Sequence, residues 1–259
     1  MAVIKKSKAE IEAMKEAGRV SAKVLREVGA RVEPGISTLE LDRMCEMLIR
    51  LEGGVPAFKG YMGFPGSICA SVNDAIVHGI PSADVILQEG DIISIDTGAI
   101  VDGWVGDNAW TFAVGSISPE KQKLLEVTEQ CMWAGLDAMQ EGNRLNDIGR
   151  AVQTIAENNG FGVVREYVGH GVGRSMHEDP NVPNYFIRTN RMPLEVGMVF
   201  AIEPMINMGT YKTRQGDDGW IVYTADGLPS AHFEKMVAIT EDGSIVLTTE
   251  PDHRRPVND

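Results

Sequence analysis

The sequence has little sulfur chemistry to offer. Its 259 residues include three cysteines, Cys45, Cys69 and Cys131, which are far apart, odd in number and without a C-x-x-C pair. That excludes a disulfide scaffold and a thiolate zinc module. Basic residues are also scarce, with 24 Lys and Arg against 37 Asp and Glu and a formal net charge of -13. Nucleic-acid backbones are held by clustered cations, so no nucleic-acid partner is expected. The small groups Lys5, Lys6 and Lys8, Lys212 and Arg214, and Arg254 and Arg255 read as solvated surface. No apolar run approaches the ~18 residues that cross a bilayer. The lysines of "MAVIKKSKAE" are not followed by the apolar block of a secretory signal. A cytoplasmic protein without a membrane partner is expected, with an ordinary globular core built from its 43% hydrophobic residues.

Helical periodicity is plain in four places. Ser7 to about Val32 opens with a Ser-x-x-Glu capping box and carries the stripe Ile11, Met14, Ala17, Val20, Val24, Leu25 and Val28. Ser37 to about Glu52 follows and stops at Gly53-Gly54. Pro119 to about Gln140 and Leu145 to about Asn158 form a second pair. A shift of 107 residues carries Gly35 to Gly142, Leu41 to Ile148, Leu48 to Ile155 and Gly53 to Gly160. This predicts two similar halves, about 7–114 and 118–247, in one domain spanning 1–259. Period-two segments lie between and after the helices: 66–72, 91–99, 104–114, 163–168, 198–205, 220–224, 231–239 and 245–247. Strands and helices come in blocks, which favours an α+β fold with a largely antiparallel sheet.

Aspartate is a poor strand former, yet "IDTGAIVDGWVGDNAWTF" places Asp96 and Asp107 inside two strand-like arms. With Asp102-Gly103 as a two-residue turn, Gly98 faces Asp107, and Asp96 lies on the same face two residues away. The carboxylates are then diagonal neighbours roughly 7–8 Å apart at the backbone, with space expected opposite Asp107. Three readings remain open for the hairpin alone: a shared proton, cations between the acids, or a solvated face. Glu203 in "GMVFAIEPMI" and Glu234 in "SAHFEKMVAIT" add two carboxylates in apolar runs, and glutamate is almost never buried unpaired. Glu203-Pro204 reads as a strand end or bulge. Three of the five histidines, His78, His170 and His177, sit in glycine-rich corners, whereas His232 and His253 do not. Four buried carboxylates and an imidazole without matching arginines call for metal cations, and oxygen-rich ligands favour Mn, Fe or Co.

The order Asp, Asp, His, Glu, Glu in "SIDTGAIVDGWVGD", "YVGHGVG", "FAIEPMI" and "SAHFEKM" resembles methionine aminopeptidase type I, from about Ser7 to Leu247. The resemblance implies a pita-bread fold, a curved antiparallel sheet backed by two pseudo-symmetric helix pairs. It implies Asp96, Asp107, His170, Glu203 and Glu234 as ligands of two divalent ions (Co, Mn, Fe, Ni or Zn), with Asp107 and Glu234 bridging. It implies His78 and His177 as substrate-contacting histidines; Glu203, within reach of a water shared by the two ions, is the candidate general base. It further implies a methionine pocket of Phe58, Tyr61, Phe64, Cys69, Met176 and Trp220, and a monovalent-cation site at the backbone of Asn73, Ala75 and Ser230. The expected activity is removal of the N-terminal methionine from nascent chains with a small second residue, near the ribosome, by a monomer. Lys235 stands where the family commonly has histidine, and Phe58 is larger than the residue in some members. An inactive binding relative is disfavoured by the full ligand set. A proline-directed relative is disfavoured because Asp96 leaves too little chain for an additional N-terminal domain.

Overall fold

The computed structural model describes residues 3–249; His253, Arg254 and Arg255 lie outside them. Helix α1 spans Lys8–Gly29 and α2 spans Thr38–Leu51. Each opens with a capping box, Ser7 with Glu10 and Ser37 with Glu40, which satisfies N–H groups that a first turn leaves unpaired. Helix α3, Pro119–Ala138, starts with a Ser118 cap and proline in its first turn. Helix α4 is Leu145–Asn158. The first and third helices end a few residues earlier than their periodicity predicts, as fraying last turns commonly do.

The 107-residue offset is a property of the backbone. It carries α2 onto α4 residue for residue. The bridge Ser37 to Ile86 maps onto Arg144 to Pro193. The bond from Gly35 N–H to Leu87 O maps onto Gly142 N–H to Leu194 O. Gly35 and Gly142 share a left-handed φ of 97° and 91°. The same offset carries Asp96 onto Glu203.

All strand pairings among the described residues are antiparallel. The hairpin Ile92–Val101 and Trp104–Ala113 has Gly98 opposite Asp107, as read from sequence, and its turn residues Asp102 and Gly103 both have positive φ, 50° and 77°. Ile68–Val72 pairs on the other side of Ile92–Val101, with Cys69 opposite Asp96. In the second half the sheet order is Gly243–Val246, Lys235–Thr240, Val199–Ile202, Gly169–Gly171, Glu178–Val182.

Two predicted strands are each broken. The 198–205 segment divides into Val199–Ile202 and Met205–Asn207, and 231–239 divides into Ser230–His232 and Lys235–Thr240. The upstream and downstream pieces pair in different sheets. The breaks fall at Glu203-Pro204 and Phe233-Glu234, where the Glu234 N–H leaves both sheets to donate to Ala109 O at 2.9 Å. The predicted 163–168 strand is reduced to Gly162–Val163. Short strands at Val55–Pro56, Ala75–Val77, Glu178–Val182 and Thr213–Gln215 carry no period-two signal long enough to detect.

The helix pairs back the sheets through equivalent cores. Val20, Val24, Leu41 and Ile49 pack with Ile93 and Ile95 in the first half; Leu124, Met132, Ile148 and Val152 pack with Phe200, Ile202 and Ile206 in the second. Gly106 lets α1 touch the hairpin, because a Cβ there would lie 2.1 Å from Ala17 O. Leu41 and Ile148 are both fully buried and occupy offset-equivalent positions. Leu41→Ala and Ile148→Ala are each expected to destabilise the protein by about 2–5 kcal/mol, read from urea unfolding midpoints. A loss well below that range at either site would show that its helix is not part of the cooperative core.

Candidate metal centre

The strand breaks and the hairpin aim their acids at one place. Asp107 comes from the middle of the hairpin, and Glu203 and Glu234 come from the two kinks. His170 enters from the short strand Gly169–Gly171. Asp107, His170 and Glu234 each offer a ligand atom, all within 4.8 Å of one another. His170 Nε2 is 3.7 Å from Asp107 Oδ2 and 3.4 Å from Glu203 Oε1. These separations are too long for hydrogen bonds and suit donor atoms arranged around a cation.

The ring of His170 is oriented for that use. Its Nδ1 is 2.9 Å from Gly171 O. A carbonyl can only accept, so the proton is on Nδ1 and Nε2 presents its lone pair to the acids. Asp96 Oδ1, Asp107 Oδ1 and Glu234 Oε1 are buried and have no hydrogen-bond partner. Burial pushes the Asp107 carboxyl up to about 7. Burial and then the Asp107 charge raise Asp96, Glu203 and Glu234 well above the usual carboxylate range. Burial lowers His170 to about 4 and His232 to about 3. Orphaned carboxylate oxygens around a neutral imidazole lone pair fit divalent cations, since a buried unpaired carboxylate is otherwise strongly unfavourable.

A cavity of about 220 Å³ opens onto these groups and is lined by all five expected ligands and by His78 and His177. Phe58, Tyr61, Phe64, Cys69, Met176 and Trp220 line it as well. His78 holds a left-handed φ of 60°, with its ring 5.5 Å from Tyr167 and 6.4 Å from Trp220. His177 lies with its ring 4.3 Å from that of His170. The loop carrying Met176 and His177 is braced by Glu178, which accepts from the N–H groups of Arg174 and Ser175 and from the buried Lys6 ammonium at 2.6 Å.

A family profile described as "Metallopeptidase family M24" matches residues 12–241. The chain belongs to metallopeptidase family M24. It is 51% identical to "Methionine aminopeptidase 1" of Bacillus subtilis over 95% of this chain and 99% of that protein. A crystal structure of methionine aminopeptidase from Thermotoga maritima superposes with a TM-score of 0.94 at 40% identity, covering 96% of this chain and 100% of that one. A prolidase from Pyrococcus furiosus is more distant, with a TM-score of 0.74 at 25% identity, 95% of this chain and 66% of that one. The pita-bread, α+β architecture of the M24 metallopeptidases is therefore that of this chain.

Two features differ from the sequence reading or escape it. The space expected opposite Asp107 is filled: a Cβ on Gly98 would lie 2.9 Å from Ala57 Cβ, 3.0 Å from Phe58 Cε1 and 3.1 Å from Met176 Cε. Gly98 therefore admits the pocket wall, not the metal centre. His232, buried and lining the cavity with Nε2 3.8 Å from Glu203 Oε2, has no role in the sequence reading. Its position two residues before Glu234 is the signal that could have found it. Lys235 points away to donate to Asn108 Oδ1 at 3.0 Å. Asn73, with φ 52°, accepts the Ser230 N–H at 2.9 Å through its carbonyl, and Ala75 pairs with Tyr223.

The pH dependence of the metal-stripped protein follows from these environments. Carboxyls raised on folding stabilise the fold at low pH, and that contribution is lost as pH rises from 3.8 through about 7 for Asp107. Histidines depressed from 6.5 act in the opposite sense and matter only below that value. Above pH 6.5 the carboxyls alone vary. The Tm of chelated protein is expected to fall from pH 6.5 to about 8.5, while protein saturated with a divalent metal holds steady. A gap between the two that does not widen with pH would contradict this charge balance.

Proposed function

We propose that this protein removes the N-terminal methionine from peptides and nascent chains with a small second residue, hydrolysing the first peptide bond. The observation that carries the reading is the opening of orphaned, buried carboxylates onto an apolar cavity walled by Phe58, Phe64, Met176 and Trp220. Such a wall suits a flexible thioether side chain. Family membership and the close likeness to proteins named methionine aminopeptidase support the same conclusion.

Asp96, Asp107, His170, Glu203 and Glu234 would hold two divalent cations. Mn, Fe and Co suit so many oxygen donors, with Ni and Zn as further candidates. When bound, the cations supply an acidified water and polarise the scissile carbonyl. Glu203 takes the proton from the attacking water and delivers it to the leaving nitrogen as the C–N bond breaks. His177 donates to the oxyanion that develops on the former carbonyl oxygen, and His78 contacts the scissile amide. Selection at the second residue is steric, at the rim of the cavity. The carbonyls of Asn73, Ala75 and Ser230 would hold a monovalent cation. The chain acts as one domain, as a monomer, on N-termini emerging from the ribosome in the cytoplasm.

Purified protein is expected to release methionine from Met-Ala-Ser, to stop in excess chelator and to recover with Mn, Fe or Co. Undiminished release under chelation would remove the metal from the mechanism. Glu203→Gln is expected to lower kcat by about 10²–10⁴-fold with an unchanged far-UV circular dichroism spectrum. Turnover near the parent's level would strip Glu203 of its role. His177→Ala is expected to lower kcat by about 10²–10³-fold with a smaller change in KM; a loss confined to KM would rule out the oxyanion contact.

A further inference from the structure

His177 and His170 are neighbouring imidazoles in the cavity, yet their Nδ1 atoms meet opposite chemistry. His170 Nδ1 faces the Gly171 carbonyl, which forces the proton onto Nδ1. His177 Nδ1 faces a hydroxyl, that of Tyr61, at 2.9 Å. A neutral imidazole carries one ring proton, and the partner of one nitrogen decides what the other presents. A phenol is a strong donor, whereas its oxygen lone pair is delocalised into the ring and accepts weakly. A phenol meeting an imidazole nitrogen therefore donates to it.

The backbone presents Tyr61 for this contact. Its N–H donates to Phe58 O at 2.9 Å, and its carbonyl accepts the Phe64 N–H at 2.9 Å. The turn around it needs left-handed φ values at Gly60 (87°), Met62 (49°) and Gly63 (91°), and the non-glycine among them is strained. The Tyr61 and His177 rings lie 5.5 Å apart at an interplanar angle of 28°.

We propose that the Tyr61 hydroxyl donates to His177 Nδ1 and thereby keeps the ring proton of His177 on Nε2, the atom that serves the oxyanion. Tyr61 is then a positioning residue as well as a wall of the pocket, and the two adjacent histidines are held in opposite tautomers, one to ligate and one to donate. The catalytic part of this proposal rests on the function proposed above; the tautomer itself does not.

The test uses zinc-loaded, full-length protein labelled with ¹⁵N-histidine. Two-bond ¹H–¹⁵N spectra locate each ring proton, and His177→Gln identifies the His177 signals. The parent is expected to show His177 protonated at Nε2 alone. Tyr61→Phe keeps the ring and removes only the hydroxyl. It is expected to show averaged tautomers at His177, with His170 unchanged, and a kcat on Met-Ala-Ser about five-fold lower, the effect of one neutral hydrogen bond, with little change in KM. A parent His177 protonated at Nδ1, or an unaltered spectrum in Tyr61→Phe, overturns the proposal. Altered tautomers with unchanged kcat overturn its link to the reaction. A parent protein that releases no methionine defeats the proposed function while the spectrum still judges the hydrogen bond.

Discussion

Mutual repulsion among four carboxylates crowded onto one cavity, two of them buried and two partly so, is the constraint on which the rest of this structure depends. Asp96, Asp107, Glu203 and Glu234 share a cavity wall, and the ion-pair neighbours of Asp107 and Glu203 are neutral imidazoles. In a medium of low polarity such charges are tolerated only with protons or cations among them. Two sheets must therefore interrupt their pairing at the same level to deliver Glu203 and Glu234, and the hairpin must hold its register to deliver Asp107 on the correct face. The helices on the outer side keep these strands from relaxing apart.

Burial acts on the two kinds of titratable group in opposite senses. It raises the carboxyls and lowers the histidines, so that the unloaded centre sheds charge of both signs: the acids are pushed toward their protonated form and the imidazoles toward their neutral form. An imidazole kept neutral is a usable ligand or a usable hydrogen-bond donor, according to which nitrogen holds its proton. The surrounding backbone and hydroxyl groups make that choice separately for each ring.

Local rules read in the sequence carried far. Serine caps with glutamate three residues on, a stop at Gly53-Gly54 and an Asp-Gly turn all act within a few residues, and the helices and the long hairpin follow them closely. The out-of-place acids Asp96, Asp107, Glu203 and Glu234 were legible because each contradicts its apolar surroundings. What escaped depends on contacts between distant segments. The breaks at Glu203 and Glu234 reflect a transfer between sheets, and Ala57 and Met176 fill the gap at Gly98 from far along the chain. His232 was hidden because an apolar strand with one histidine looks like a core strand. The contact between Tyr61 and His177 spans 116 residues and has no local signature.

The offset that carries α2 onto α4 also carries Asp96 onto Glu203, so each half of the molecule contributes its own version of the same acid. The candidate metal ligands thus come from both halves, Asp96 and Asp107 from the first and His170, Glu203 and Glu234 from the second. A chain with only one half would possess the scaffold of a site and too few donors to fill a coordination sphere. The cavity that gathers these five side chains therefore exists only where the two halves meet, since neither half supplies more than three of them.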